Sequence, residues 1–129
     1  EIEIPKDGSW GSEATTLGMN TVVDLGFMAV LTTRPKDAKR ERCLAKLNSG
    51  TSVKDFIQEL LDSAKFKNEI LPQGLKKVVL DIIKNLQYRI ASNDEISAGV
   101  KRFKQGEGAE FIIDVMNDPS VVQRFKENS

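Results

Sequence analysis

Histidine is absent from this 129-residue chain, and cysteine, tryptophan and tyrosine each occur only once. Without histidine the chain lacks the commonest general base of enzymes and the imidazole ligand of many zinc sites. The single Cys43 cannot form an intramolecular disulfide, and its expected role is that of a small apolar residue in the core. We therefore expect a protein that is not an enzyme and that holds no metal or cofactor.

An excess of charge of one sign is missing as well, because 19 basic and 19 acidic side chains cancel. The two signs are interleaved, so we expect no overall field that would attract a nucleic-acid partner. The longest apolar stretch, Val22 to Leu31, is interrupted by Asp24 and Gly26. A membrane span needs about 20 apolar residues, so we expect no membrane insertion. The chain begins at Glu1 instead of methionine, which favours a processed protein or a domain of a larger one.

The sequence contains one helical pattern twice. Each copy has an apolar helix that ends in Leu-x-x-Arg or an equivalent, a charged helix that ends in glycine, and a helix that opens with Phe-Ile. One set of residues recurs after 55 positions (89 − 34 = 55) and another after 56 (106 − 50 = 56), so one inserted residue reconciles the registers. The first set is Leu31, Arg34, Phe56 and Ile57 with Leu86, Arg89, Phe111 and Ile112; the second is Leu44, Leu47 and Gly50 with Val100, Phe103 and Gly106.

A unit of this size cannot bury its own apolar face, so two such units are expected to share one core. We predict an all-α fold: a compact bundle of six or seven helices with an internal duplication, in a single domain over residues 1–129. An extended arm is expected at 1–12, the first copy at 13–70 and the second at 71–129. The helix-breaking sequence Leu71-Pro72-Gln73-Gly74 is the expected joint between the copies.

Local signals predict where the helices begin and end. Serine followed three residues later by an acidic residue caps a helix start, glycine supplies a left-handed stop, and proline fits the first turn of a helix. These signals are the pairs Ser52 with Asp55 and Ser92 with Glu95, the stops Gly50 and Gly106, and the starts at Pro35 and at Asp118-Pro119.

Large apolar side chains are the candidate contacts with a partner, and they are Trp10, Phe66, Tyr88 and Phe125. The expected binding surfaces are the arm that carries Trp10 and a groove between the two copies, where apolar faces not used internally stay available. The alternative role for Trp10 is to fold back onto the helical core.

Two arginines, Arg34 and Arg89, follow the last turns of the two central helices at matching positions. One interpretation is that each guanidinium caps helix carbonyls or pairs with a carboxylate in the packed interior, for which Asp24 is a candidate. The other is a pair of anion sites, to which Lys36 and Arg40 of the neighbouring basic helix contribute.

The first copy resembles a helical motif of phycobilisome linker polypeptides. The similar residues are the Leu31-Thr32-Thr33-Arg34-Pro35 corner, Leu47-Asn48-Ser49-Gly50, the helix that contains Phe56, and the closing Ser63-Ala64-Lys65-Phe66. A similar order occurs in a bacterial domain of uncharacterised function found in large surface and secreted proteins. The second copy keeps Arg89, Gly106 and Phe111, while Ile90 replaces the proline. The resemblance implies an interaction or assembly module and supplies no catalytic residues.

The sequence as a whole favours a non-catalytic protein–protein interaction or assembly module, a scaffold that binds another protein or another domain of its own parent chain. The alternative is a small-ligand or anion-binding accessory domain that uses Arg34 and Arg89.

Overall fold

The computed structural model describes residues 15–121, with side chains described from residue 20 onward. Between these bounds the chain is helical and contains no strand, which confirms the predicted all-α fold. A further helix begins at residue 119 and reaches the end of the described range. The α-helices are α1 (Thr15–Val30), α2 (Asp37–Asn48), α3 (Val53–Leu61), α4 (Leu75–Gln87), α5 (Asn93–Lys104) and α6 (Gly108–Met116). The arm expected at 1–12 lies outside the described residues.

Side-chain caps begin two of the helices where the sequence predicts them. The Asp55 backbone N–H donates to Ser52 Oγ at 3.0 Å at the start of α3. At the start of α5 the Glu95 N–H donates to Ser92 Oγ at 3.2 Å, and the Ser92 N–H donates to Glu95 Oε1 at 2.9 Å. The two bonds at α5 form a capping box, which satisfies donors that have no partner inside the helix. Both predicted capping pairs are therefore confirmed.

Glycines end α2 and α5 in the same way. Gly50 has a φ of 111° and Gly106 a φ of 79°, values that L side chains rarely adopt. In both cases the next residue donates its N–H to the carbonyl five positions earlier, the pattern of a Schellman stop. These bonds join Thr51 to Lys46 at 3.1 Å and Glu107 to Arg102 at 2.8 Å.

The helix α1 lies in the centre of the fold, where it contacts α2, α3, α4 and α6. Gly26 lets α3 approach it closely, because a Cβ at this glycine would lie 2.8 Å from the Phe56 ring. Asn85 in the last turn of α4 donates to the Met28 carbonyl of α1 at 3.1 Å, so the carboxyl ends of α1 and α4 lie together. The same bond satisfies a carbonyl near the end of a helix, where partners are scarce.

The lengths of the helices follow the pattern seen in the sequence. The helices α2 and α5 both have 12 residues and begin 56 positions apart (93 − 37 = 56), and α3 and α6 both have 9 residues and begin 55 apart (108 − 53 = 55). An ion pair recurs between them: Lys46 of α2 binds Glu59 of α3 at 2.7 Å, and Arg102 of α5 binds Asp114 of α6 at 2.5 Å. The internal duplication itself stays a prediction.

Three features differ from what the sequence suggests. The regions assigned to the two copies meet through direct packing of α1 on α4 and of α3 on α6, so the groove expected between the copies is occupied by core side chains along these contacts. The chain also forms a π-helical turn at Phe66–Ile70 and a 3₁₀ turn at Leu71–Gln73 before α4. Asp24 pairs with Arg40 instead of with Arg34 or Arg89, because α2 packs along α1.

Candidate interaction surface

The structure gives different positions to the side chains predicted to contact a partner. Trp10 and Phe125 lie outside the described residues. Phe66 is only 3% exposed, because the π-helical turn directs its ring into the core, and it is therefore not available as a surface contact. Tyr88 is 65% exposed.

Tyr88 belongs to the second corner, which we define as Tyr88, Arg89 and Ile90 between α4 and α5. Tyr88 has a φ of 55°, a left-handed conformation that costs a residue with a side chain about 1–2 kcal/mol relative to its usual conformations. Ile90 is 82% exposed. This corner holds the two most exposed large hydrophobic side chains among the described residues.

Arg89 fixes the second corner against the start of α5. Its Nε donates to Gln87 Oε1 at 2.8 Å, its Nη1 donates to Glu95 Oε1 at 2.8 Å, and its Nη2 donates to Glu95 Oε2. The Arg89 guanidinium, followed by the Ser92 backbone N–H, lowers the pKa of Glu95 from 4.5 to about 2. The hydrogen bond to Glu95 in turn raises the pKa of Arg89. The corner is thus held by a bidentate ion pair, and its carboxylate, Glu95, also belongs to the capping box.

The first corner, between α1 and α2, shows that this turn does not require exposed apolar side chains. Thr32 has a φ of 56° there, which matches Tyr88 in conformation. Thr32 and Thr33 are exposed and Pro35 is buried. Each corner contains one residue with a positive φ, and only the second corner presents an aromatic ring and an aliphatic side chain to solvent.

A shallow groove lies between α4 and α5 and forms a second surface feature. It consists of two adjoining depressions of about 360 and 250 Å³, both lined by Lys76 and Ser97. Its apolar lining comes from the half-buried Leu80, Ile96 and Val100, which pack against the core. The remaining lining residues are Lys77, Asn93, Lys101, Lys104 and Gln105. We call this surface the α4–α5 groove.

Two of the four cations expected to bind an anion are held by carboxylates of the protein itself. The Arg40 Nη2 lies 2.8 Å from Asp24 Oδ1, and Arg89 is paired with Glu95 as described above. Arg34 and Lys36 are exposed. For Arg89 the structure agrees with the interpretation of carboxylate pairing, although the pair lies at the surface and not in the interior.

Two findings bear on thiol and metal chemistry in the described range. Cys43 is 8% exposed, and burial raises the pKa of its thiol, which makes the thiolate scarce at neutral pH. Residues 20–121 contain no group of three or more acidic or cysteine side chains placed to hold a metal ion. No described helix is both long and apolar enough to span a bilayer.

Sequence reasoning missed the α4–α5 groove. It places Lys76 on the polar face of α4, and Lys76 is indeed exposed. The position of Lys101 and Lys104 opposite that face depends on how α5 packs against α4, which a single-helix pattern does not contain.

Comparisons of the chain with protein-family models, with curated proteins and with solved structures gave no match.

Proposed function

We propose that this protein is a non-catalytic interaction module that binds another protein, or another domain of its parent chain, through the second corner. The observation that carries the proposal is the exposure of Tyr88 and Ile90, at 65% and 82%, on a corner held by the Arg89–Glu95 ion pair. Aromatic and aliphatic side chains presented on a rigid element lose little conformational freedom on binding, which favours affinity.

The comparison of the two corners supports a role in binding over a role in folding. The first corner also contains a residue with a positive φ, and there the residue is a threonine, Thr32. Tyr88 and Ile90 therefore add exposed apolar surface that the turn itself does not need. Exposed apolar side chains that do not serve the fold favour an interaction site when they cluster.

The module in this proposal consists of two copies of one helical unit. Support comes from the equal lengths of α2 and α5 and of α3 and α6, from the matching Schellman stops, and from the recurring ion pairs Lys46–Glu59 and Arg102–Asp114. After duplication one copy can keep the residues of the fold while the other gains binding residues. The two corners differ in this way.

The test is an affinity pull-down from the native source with the whole chain as bait. Tyr88→Asn/Ile90→Ser removes the apolar side chains, and asparagine tolerates the left-handed conformation of position 88. Leu71→Ser is the matched control, because Leu71 is a large hydrophobic residue exposed to 37% elsewhere on the surface. We expect a protein partner that the control retains and the double variant loses by at least tenfold. Recovery of the partner by all three chains would overturn the proposed surface.

The Trp10→Ala variant tests the predicted contact in the arm within the same experiment. We expect it to weaken capture of the same partner while leaving the thermal unfolding midpoint unchanged. A lowered midpoint would instead assign Trp10 to the alternative role, in which it covers the core.

A further inference from the structure

We propose that the α4–α5 groove binds an acidic amphipathic helix of a partner protein. The inference rests on the proposed function, since both assume that the protein acts by binding a macromolecule, and it assigns a second surface and a class of partner. The groove offers apolar side chains along its floor and lysines along its rim, which complement the two faces of such a helix.

Three of the four lysines that line the groove have no carboxylate partner in the described part of the chain. Both depressions are lined by lysine, and neither is lined by a carboxylate. Lys77 binds Asp81 Oδ1 at 2.8 Å, whereas Lys76, Lys101 and Lys104 make no ion pair with any carboxylate of the described residues. Three ammonium groups are thus free to pair with acidic side chains of a partner.

The dimensions of the groove suit a helix of a few turns. Its lining residues on α5 extend from Asn93 to Lys104, eleven steps along the helix axis, or about 16.5 Å at 1.5 Å per residue. A docked helix of about three turns would place apolar side chains at i, i+3, i+4 and i+7 over Leu80, Ile96 and Val100. Its flanking glutamates would then face Lys76 on one side and Lys101 and Lys104 on the other.

The corresponding helix of the first unit shows that the fold does not need these lysines. The helices α2 and α5 align with a shift of 56, so that Lys101 corresponds to Ala45 and Lys104 to Asn48 (101 − 45 = 56; 104 − 48 = 56). Both helices end in the same Schellman stop, with alanine and asparagine in one and lysines in the other. The positive rim is therefore specific to the second unit.

An acidic helix fits the groove better than a nucleic acid does. Proteins that bind single strands combine positive charge with aromatic side chains on which bases stack, and the lining residues of the groove include no aromatic. The chain as a whole has no net charge, so it lacks the overall field that attracts a polyanion from a distance. The aliphatic floor instead matches leucine or isoleucine side chains.

The experiment titrates the ¹⁵N-labelled full chain with a synthetic helical peptide that has leucines on one face and glutamates on its flanks. A peptide with lysine in place of glutamate and an oligonucleotide are the comparison ligands. We expect the acidic peptide to shift the amide signals of Ser97, Lys101 and Gln105, to bind at least tenfold tighter than the basic peptide, and to weaken as salt is raised. Shifts confined to another surface, equal affinity for both peptides, or tighter binding of the oligonucleotide in the groove would overturn the proposal.

Charge-reversal variants distinguish binding in the groove from a general effect of the net charge of the protein. Lys101→Glu/Lys104→Glu should lose at least tenfold in affinity for the acidic peptide, and Lys101→Gln/Lys104→Gln should lose less. The control Lys36→Glu/Lys39→Glu changes the net charge equally at the start of α2 and should keep the affinity. A loss of affinity in the control as large as in the groove variant would contradict the assignment. A protein that still captures a partner through the second corner but does not bind the acidic peptide would overturn this inference and leave the proposed function standing.

Discussion

Replacing Gly99 of α5 with alanine should destabilise the protein, although alanine is the better helix former. A Cβ at this buried glycine would lie 2.6 Å from Val79 Cγ1 and 3.0 Å from the Phe111 ring. Helix propensity alone favours alanine by about 1 kcal/mol. Overpacking costs about 1–3 kcal/mol, and Val79 is fully buried on α4 with a stiff β-branched side chain, so the upper part of that range applies. We expect Gly99→Ala to lower the free energy of unfolding by about 1–2 kcal/mol.

A double-mutant cycle with Val79→Ala tests the contact itself. Val79→Ala alone removes two buried methyl groups and should cost about 2 kcal/mol, since each is worth about 0.8 kcal/mol before the cavity is counted. In Gly99→Ala/Val79→Ala the new methyl group occupies the vacated space. The loss of unfolding free energy in the double variant should therefore be smaller than the sum of the two single losses by at least about 1 kcal/mol.

Urea unfolding followed by far-ultraviolet circular dichroism measures all three free energies. Ala98→Gly is the calibration, because Ala98 is exposed on the same helix, and it should cost about 1 kcal/mol through propensity alone. A Gly99→Ala protein more stable than the wild type would refute the close approach of α4 and α5. Additive single effects would refute the specific contact between Val79 and position 99.

Three further predictions concern the ends of α5. Glu95→Gln should lower the thermal unfolding midpoint at neutral pH. Because folding lowers the pKa of Glu95 to about 2, the difference in midpoint between the variant and the wild type should shrink as the pH falls from 4.5 towards 2. Ser92→Ala should cost about 1 kcal/mol through loss of the cap, whereas Ser97→Ala on the exposed face should cost nothing in the same urea assay. Gly106→Ala should cost about 1 kcal/mol, because a Cβ there meets no atom within 4 Å and only the φ of 79° opposes it; an unchanged urea midpoint would contradict this reading.

The parts of the fold that depend on neighbours in the sequence could be predicted, and the capping pairs are the clearest example. Ser52 and Ser92 act on N–H groups three residues away, so the signal and its effect lie within one turn. The glycine stops at Gly50 and Gly106 follow the same logic. The all-α class follows because such signals separate segments with helical periodicity throughout the described range.

The features that the sequence missed depend on how the helices pack. Phe66 continues the apolar pattern of its region, but the π-helical turn that directs it inward cannot be read from that pattern. The partner of Asp24 is Arg40, sixteen residues away, because α2 packs along α1. The rim of the α4–α5 groove combines Lys76 with Lys101, and a helical pattern predicts which face is polar without predicting which face of another helix lies beside it.

The central claim is that the second corner contacts a partner protein, and site-specific photo-cross-linking in the native source tests it most directly. The photoreactive amino acid p-benzoylphenylalanine is placed at position 90, and at position 71 in the control chain. Ile90 is 82% exposed and Leu71 37%, so the probe replaces a solvent-exposed apolar side chain at either position. We predict a discrete cross-linked protein from position 90 and none from position 71. The absence of any cross-link at position 90, or the same products from both positions, would contradict the claim.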